Sequence, residues 1–389
     1  MWRSGALLRP GARTRWALVL AVVAALCATP AVVAAVPTGR PASPDATTLA
    51  ARVRASARVP FAGYAESVGT LALPDVPQLG RTASLLGDLT RLRVWHAADG
   101  TERVDQLTGT GETDTYRLPG ASWLWDSQTR RATLTIGTTG VRLPAPPDLT
   151  PPALGRRLLN GAAPGELSLG AARRVAGHDT VALVARPADP RTLVRQVTLW
   201  TEPVTGLPLA VALVARDSST VFTSSFLDLS LTAPAPATTT FTPPADAVVQ
   251  QVTAADAQAA ATRLSPFRLP GTVAGLPRRG DIGGGAGDYG TGYVVVAVVG
   301  LELSLTRQTL AGLGTLPTSR GPYGTAAVLE TPVLTALVVQ TPDRGYLLAG
   351  TVTRQVLEQV ATDLARTPPP RIGAPPGGGG RHRTPRAAA

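Results

Sequence analysis

The chain has 389 residues, 44% of them hydrophobic, and a formal net charge of +11 at pH 7. This length is enough for two domains with buried cores. The hydrophobic content excludes intrinsic disorder for the middle of the chain. The positive charge comes from arginine alone, because the sequence contains no lysine, and arginines between the two ends are interspersed with acidic residues. We therefore predict no nucleic-acid partner, since such a partner needs a clustered basic face.

Residues 1–36 have the layout of an export signal. Four arginines precede the apolar run Trp16–Cys27, and small residues follow it. The run Trp16–Val36 is also about as long as a membrane-spanning helix, so the leader is either cleaved after Ala35 or kept as an anchor in contact with the membrane. Both alternatives place the rest of the chain outside the cytoplasm, secreted or membrane-anchored. Cys27 is the only cysteine, and the bulky residue before it argues against lipidation.

Residues 45–136 predict one helix followed by short strands. Asp45 is the expected N-cap of a helix at Ala46–Arg58, in which apolar residues recur at helical spacing. The β region begins at Gly63–Leu73. Between Thr90 and Ile136, five strand-like runs alternate with turn residues at intervals of about ten residues, which favours an antiparallel meander.

The stretch Val181–Leu231 follows a predicted helix at Pro152–Leu159 and contains four more strand-like runs. Turns rich in Pro, Asp and Gly separate the runs, and such short connections favour antiparallel pairing. Apolar residues occur on both faces of these strands, as where Leu199 is followed by Trp200. A sheet with one solvent-exposed face shows a stricter alternation of apolar and polar residues along its strands. We therefore expect both faces to be covered, by other elements or by an apolar ligand.

The last third of the chain predicts a second, smaller unit. Tyr293–Val299 and Leu334–Gln340 are continuous apolar runs, typical of buried central strands, and Arg354–Ala365 has the apolar stripe of a helix. Ala254–Leu264 is predicted to be a short helix and Gly280–Gly292 a mobile loop. The expected organisation is a signal peptide or anchor (1–36), a β-rich domain (45–247), a linker (248–265), a small α+β domain (266–366) and a disordered tail (367–389).

Reactive side chains are scarce. His96, His178 and His382 are not spaced as zinc ligands, and the lack of lysine excludes Schiff-base chemistry and a P-loop. Gly285–Gly290 matches the pattern G-x-G-x-x-G, but a strand rather than a helix is expected after it, so a flexible loop is the better interpretation. We predict no catalytic residue, no metal and no cofactor.

Two groups of residues leave alternatives open. Glu112, Asp114 and Asp126 fit the paired carboxylates of a glycosidase, but exposed acids beside strand turns are common. Large aromatic residues are either part of a core or the lining of an apolar groove for a lipid or peptide. The candidate ligand-binding residues of such a groove are Trp95, Trp123, Trp125, Trp200, Phe222 and Phe226.

A set of short segments carries a resemblance to known families. Within residues 45–245 they are Phe61-Ala62-Gly63-Tyr64, Leu92-Arg93-Val94-Trp95, Arg103-Val104-Asp105, Gly111-Glu112-Thr113-Asp114, Trp123-Leu124-Trp125-Asp126, Arg186-Pro187 through Trp200, Thr205-Gly206-Leu207-Pro208 and Phe226-Leu227-Asp228-Leu229. This region resembles the actinobacterial branch of LolA-like proteins. The unit that ends in Gly345–Gly350 before a helix is similar to the small C-terminal domain of MucB/RseB proteins.

The resemblance implies an α+β fold, with a curved antiparallel β half-barrel, helices on its concave side and a smaller α+β C-terminal domain. Relatives bind lipid or lipoprotein acyl chains, and RseB-type members also bind the extracytoplasmic part of a membrane anti-sigma factor and protect it from proteolysis. We therefore expect a non-enzymatic, extracytoplasmic regulator of an anti-sigma factor, or of another envelope protein, that senses an apolar ligand. The alternative is a LolA-like lipid or lipoprotein carrier with no signalling role. A hydrolase is a third and weaker hypothesis.

Overall fold

A computed structural model of the chain describes residues 45–73, 80–137, 144–255, 259, 265, 267–279, 285–367 and 370. The predicted leader, nearly all of the predicted tail and most of the predicted helix Ala254–Leu264 lie outside the described residues. Among the described helices, none has the length and apolarity that crossing a membrane requires. The two sheets described below belong to one compact unit of the chain.

A twelve-stranded sheet, the large sheet, is formed by the first half of this unit. Its strands follow the order β12-β6-β5-β4-β3-β2-β1-β11-β10-β9-β8-β7. Neighbouring strands are antiparallel except β12 and β6, which are parallel. The strands are β1 (Phe61–Gly69), β2 (Leu89–His96), β3 (Glu102–Leu107), β4 (Glu112–Leu118), β5 (Ala121–Asp126), β6 (Arg131–Ile136), β7 (Leu167–Val175), β8 (His178–Ala185), β9 (Val194–Thr201), β10 (Pro208–Ala215), β11 (Thr220–Ser230) and β12 (Val248–Thr253).

Turn chemistry explains why the predicted meander forms. Strands β8 to β11 correspond to the four runs expected between Val181 and Leu231, and the antiparallel pairing of consecutive strands confirms that prediction. Gly206 in the β9–β10 turn has φ +74°, and a Cβ on it would lie 2.4 Å from the carbonyl carbon of Arg52. Glycine is therefore required at this position both by its backbone conformation and by the close approach of the first helix.

Three helices pack on one face of the large sheet, which we call the helix-covered face. They are α1 (Ala46–Ala55), α2 (Gly80–Gly87) and α3 (Pro151–Leu159). α1 begins as predicted, because the Asp45 carboxylate accepts hydrogen bonds from the backbone N–H groups of Thr47 and Thr48. α2 was not predicted. The α+β class and the curved antiparallel sheet with helices are confirmed.

Two clusters of buried side chains fill the space between these helices and the sheet. One lies beneath α1 and α3 and includes Leu49, Val53, Leu159, Leu183, Leu199 and Val211. The other lies beneath α2 and the 3₁₀ turn Pro146–Leu149 and includes Phe61, Leu85, Leu92, Val94, Leu149, Phe222 and Phe226. Burial of these apolar side chains is the main stabilising contribution to this half of the molecule.

The first residues of the linker predicted at 248–265 form a strand in the structure. Val248–Thr253 is strand β12, which pairs in parallel with β6 at one edge of the large sheet. A parallel neighbour needs a long crossover. Residues 231–247 provide this crossover, and we call them the crossing segment. Phe241 of the crossing segment packs on the sheet face opposite the helices.

A second sheet of six strands follows, in the order β15-β16-β20-β19-β18-β17. The predicted apolar runs correspond to β16 and β19, and both are interior strands. Helices α4 and α5 and a two-stranded hairpin, β13–β14, complete this part of the chain. The elements are β13 (Thr272–Val273), β14 (Leu276–Pro277), β15 (Ala286–Thr291), β16 (Val294–Leu301), α4 (Leu303–Gly312), β17 (Thr318–Gly321), β18 (Gly324–Glu330), β19 (Thr335–Gln340), β20 (Gly345–Gly350) and α5 (Arg354–Arg366).

The predicted mobile loop Gly280–Gly292 contains a strand, so the loop interpretation of Gly285–Gly290 was wrong. Ala286–Thr291 is the edge strand β15, which forms a hairpin with β16. Gly290 has φ +110°, and a Cβ on it would lie 1.9 Å from the carbonyl oxygen of Val294. The glycine therefore permits a tight hairpin, and the G-x-G-x-x-G spacing carries no nucleotide-binding geometry.

Backbone hydrogen bonds join the two sheets at Thr192. The Leu193 N–H donates to the Thr351 carbonyl over 2.8 Å, and the Thr353 N–H donates to the Arg191 carbonyl over 3.0 Å. The buried Thr192 hydroxyl lies 3.0 Å from the carbonyl oxygens of both Tyr293 and Thr351. The small sheet is thus held to the large one by polar contacts at a defined register.

Candidate binding surfaces

Strands β2 to β6 present two adjacent rows of side chains on the face opposite the helices. Directly paired residues in neighbouring strands share a face, so the register defines each row. The first, which we call the aromatic row, contains Trp95, Arg103, Tyr116, Trp123 and Leu134. The second, which we call the acidic row, contains Arg93, Asp105, Asp114, Trp125 and Ala132.

Phe241 of the crossing segment covers the aromatic row and Trp125 of the acidic row. Its ring centre lies 4.7 Å from that of Tyr116, 5.5 Å from that of Trp123 and 5.9 Å from that of Trp125. The Arg103 guanidinium lies 5.1 Å from the ring centres of both Trp95 and Tyr116. These distances are those of aromatic and cation–π packing, so the tryptophans here form an outer packed layer.

Trp200 lies on the same face but in the other half of the large sheet. It is paired with Ala210 and Ala182 and alternates along β9 with Leu199, which faces the helices. The Arg173 guanidinium lies 3.5 Å from the centre of the Trp200 ring. Trp200 is therefore covered by a cation rather than by Phe241.

Phe222 and Phe226 lie on the helix-covered face. Only 1% of Phe226 is exposed, and its ring packs edge-on against Phe61 with the ring centres 5.6 Å apart. The six candidate ligand-binding residues therefore do not line one surface. Two of them belong to the core beneath the helices, and the four tryptophans point away from it.

The acidic row contains two buried carboxylates directly opposite each other. Asp105 and Asp114 are 0% and 3% exposed. The Arg103 Nε donates to Asp105 over 2.7 Å, and its Nη2 donates to Asp114 over 3.3 Å. Glu112 lies on the same face, two residues along β4 from Asp114. Glu112 and Asp114 were predicted from the sequence as candidate acids, but Asp105 was not, because its partner is set by cross-strand register.

Burial and the neighbouring carboxylates of Asp105 and Glu112 raise the pKa of Asp114 to about 7. Burial also raises the pKa of Asp105. Asp126, the third acid of the glycosidase alternative, caps the β5–β6 turn through the N–H groups of Gln128 and Thr129. It pairs with Thr113, on the face opposite Asp114, so the three acids do not converge.

The raised pKa of Asp114 predicts a loss of stability with rising pH. The pKa of an aspartate in the unfolded chain is about 3.9. Because the folded-state pKa is higher, the contribution of the neutral carboxyl is complete below about pH 4 and is lost as the pH rises through about 7, a change on the order of 4 kcal/mol. In chelator-containing buffer, Asp114→Asn should flatten this pH profile in urea denaturation. The exposed Asp179→Asn is the control, and parallel profiles for wild type and Asp114→Asn would contradict the assignment.

Two histidines have structural partners. His96 Nε2 lies 2.8 Å from the Ala57 carbonyl oxygen, and its ring stacks on Phe61. His178 Nε2 lies 3.3 Å from the Leu229 carbonyl oxygen. Both occupy ordinary positions at strand ends, and His382 lies outside the described residues.

A groove of about 870 Å³ lies between strand β17 and helix α5 of the small sheet. β17 is an edge strand and is paired, among the described residues, with β18 only. An edge strand presents unpaired backbone N–H and C=O groups to which an extended peptide can add. This groove was not predicted from the sequence, because β17 is short and has no apolar pattern.

The groove carries three arginines and two carboxylates. Arg354 donates to Glu358 over 2.8 Å, and Asp363 accepts from the Ala274 N–H over 2.7 Å, so both carboxylates are engaged. Arg320 and Arg366 are exposed, and neither forms an ion pair within the part of the chain that is described. The groove therefore offers two cationic side chains beside an open strand edge.

No protein-family model matches the sequence, and the search of curated proteins found no match. Several solved structures are similar to the chain. MucB of Pseudomonas aeruginosa in a complex with MucA is 18% identical, with 85% of this chain and 99% of that chain covered and a TM-score of 0.48. A second structure, MucB with MucA(peri), is 19% identical, with 85% and 100% covered and a TM-score of 0.49. A LolA superfamily protein of Nitrosomonas europaea is 11% identical, with 51% and 98% covered and a TM-score of 0.23. MucB and LolA, the two names to which the sequence resemblance pointed, thus both occur among the similar structures.

Proposed function

We propose that the chain is an extracytoplasmic, non-enzymatic binding protein that regulates a membrane anti-sigma factor. The observation that carries this proposal is the groove between β17 and α5, with an open strand edge and two exposed arginines. Such a groove suits an extended, acidic peptide segment, because backbone pairing supplies affinity and charge supplies orientation. The resemblance to MucB/RseB proteins makes the extracytoplasmic part of an anti-sigma factor the expected source of that segment.

Charge reversal in the groove tests this assignment. Arg320→Glu combined with Arg366→Glu should lower recovery of the anti-sigma factor from solubilised membranes by at least about tenfold, since like charges across an interface are strongly unfavourable. Recovery is measured by affinity purification and quantitative mass spectrometry. The identified protein must combine a membrane span with a cytoplasmic sigma-factor-binding region.

Arg174→Glu combined with Arg195→Glu is the matched control. Both arginines lie in the large sheet, away from the groove, and are exposed. This control changes the net charge of the protein by the same amount and should leave recovery unchanged. Equal losses in the two double variants would indicate a general charge effect and would reject the groove as the docking site.

We also propose an apolar ligand, a lipid or lipoprotein acyl chain, on the helix-covered face. Phe222 and Phe226 are the candidate residues that remain on that face. Native mass spectrometry of gently purified protein should detect a bound lipid. Protein without adducts would reject the ligand and leave the partner proposal standing. A bound lipid without any recovered anti-sigma factor would instead favour the LolA-like carrier.

A further inference from the structure

Three carboxylates converge on the sheet face that the crossing segment covers. Asp105 and Asp114 are directly opposite each other in β3 and β4, and Glu112 lies beside them on β4. One oxygen from each of the three lies within 4.8 Å of the others. All three side chains come from paired strands, so the sheet itself sets their spacing.

Two of the oxygens are buried without a partner. Asp105 Oδ2 and Asp114 Oδ1 accept no hydrogen bond from any described residue, although both side chains are almost fully buried. Arg103 engages the other oxygen of each residue, Oδ1 of Asp105 and Oδ2 of Asp114. Leaving buried carboxylate oxygens unsatisfied is costly, so a further positive group or donor is expected at this position.

We propose that Asp105, Glu112 and Asp114 bind a divalent cation of the Ca²⁺ class. The donors are all carboxylate oxygens, which hard cations prefer, and no sulfur or imidazole belongs to the cluster. Glu112 is only half-buried, so a cation reaches the site from its side and keeps water ligands there.

The surrounding charges set the expected affinity. Arg103 contacts both buried carboxylates, and Arg93 lies 4.0 Å from Glu112, so the cation competes with two guanidinium groups. We therefore expect weak binding, with a Kd of about 10⁻⁴–10⁻³ M, the range of extracellular calcium modules. The cation would cross-link β3 and β4 beside the aromatic row. This site does not depend on the proposed regulatory function.

Tb³⁺ luminescence tests the site directly, because Trp125 is the cross-strand neighbour of Asp114 and serves as a sensitiser. Tryptophan excitation of the wild-type protein should give Tb³⁺ emission that millimolar Ca²⁺ removes. Asp114→Asn and Glu112→Gln should each weaken Tb³⁺ binding by at least about tenfold, since each removes a charged ligand. Asp179→Asn, a surface variant, should bind Tb³⁺ as the wild type does.

A second measurement separates ligand loss from misfolding. Ca²⁺ should raise the Tm of the wild type and leave the Tm of Glu112→Gln unchanged, although both proteins unfold cooperatively. If the wild type gives no emission beyond that of Asp114→Asn and its Tm does not respond to Ca²⁺, the proposal is overturned. The two buried carboxyls are then satisfied by a proton that they share.

Discussion

Replacing Phe226 with alanine is expected to lower the free energy of unfolding by about 3–5 kcal/mol, the range for truncating a buried phenylalanine. Phe226 is 1% exposed, packs edge-on against Phe61 and belongs to the cluster beneath α2. The alanine would leave a cavity between the sheet and the helices that a packed interior cannot close completely. Urea denaturation of the two proteins measures the difference.

The next residue in the strand provides the control. Leu227 is 57% exposed at the bulge in β11, so Leu227→Ala should change the free energy of unfolding by less than about 0.5 kcal/mol. A loss below about 1 kcal/mol for Phe226→Ala would mean that the site is not densely packed.

The second large effect is expected in the small sheet. Leu357 of α5 is fully buried in the core of the small sheet, and Leu357→Ala should cost about 2–5 kcal/mol. Gln359→Ala, on the exposed side of the same helix, is the control and should be nearly neutral. Circular dichroism during urea denaturation gives both values.

Leu357→Ala also tests how tightly the two sheets are coupled. The tryptophans among the described residues, at positions 95, 123, 125 and 200, all lie in the large sheet. Because backbone hydrogen bonds at Thr192 join the sheets, the substitution should shift the tryptophan fluorescence transition together with the circular dichroism transition. A fluorescence midpoint that does not move would show that the sheets unfold independently.

Local patterns explain what the sequence predicted well. Asp45 before an apolar periodicity identifies α1, and Gly206 with its neighbours identifies the β9–β10 turn. The continuous apolar runs identify β16 and β19 as interior strands. In each case the determinant is a cap, a turn or a periodicity within a few residues, and these signals act without tertiary contacts.

The parts that were missed depend on contacts distant in sequence. Val248–Thr253 becomes a strand because β6 offers it an edge, and Ala286–Thr291 becomes one because β16 pairs with it. The face on which each aromatic residue lies depends on strand register and on bulges such as that at Tyr64/Ala65, since a shift of one residue reverses the face. The buried pair Asp105 and Asp114 likewise follows from register.

The most direct test of the regulatory proposal is a photocrosslink from the groove in living cells. A benzoylphenylalanine in place of Gln359, which lines the groove, should crosslink to one membrane protein with a cytoplasmic sigma-factor-binding region. The same probe in place of Arg195, on the large sheet, should give no such product. Failure of the Gln359 probe to capture an anti-sigma factor, or equal capture from both positions, would contradict the account.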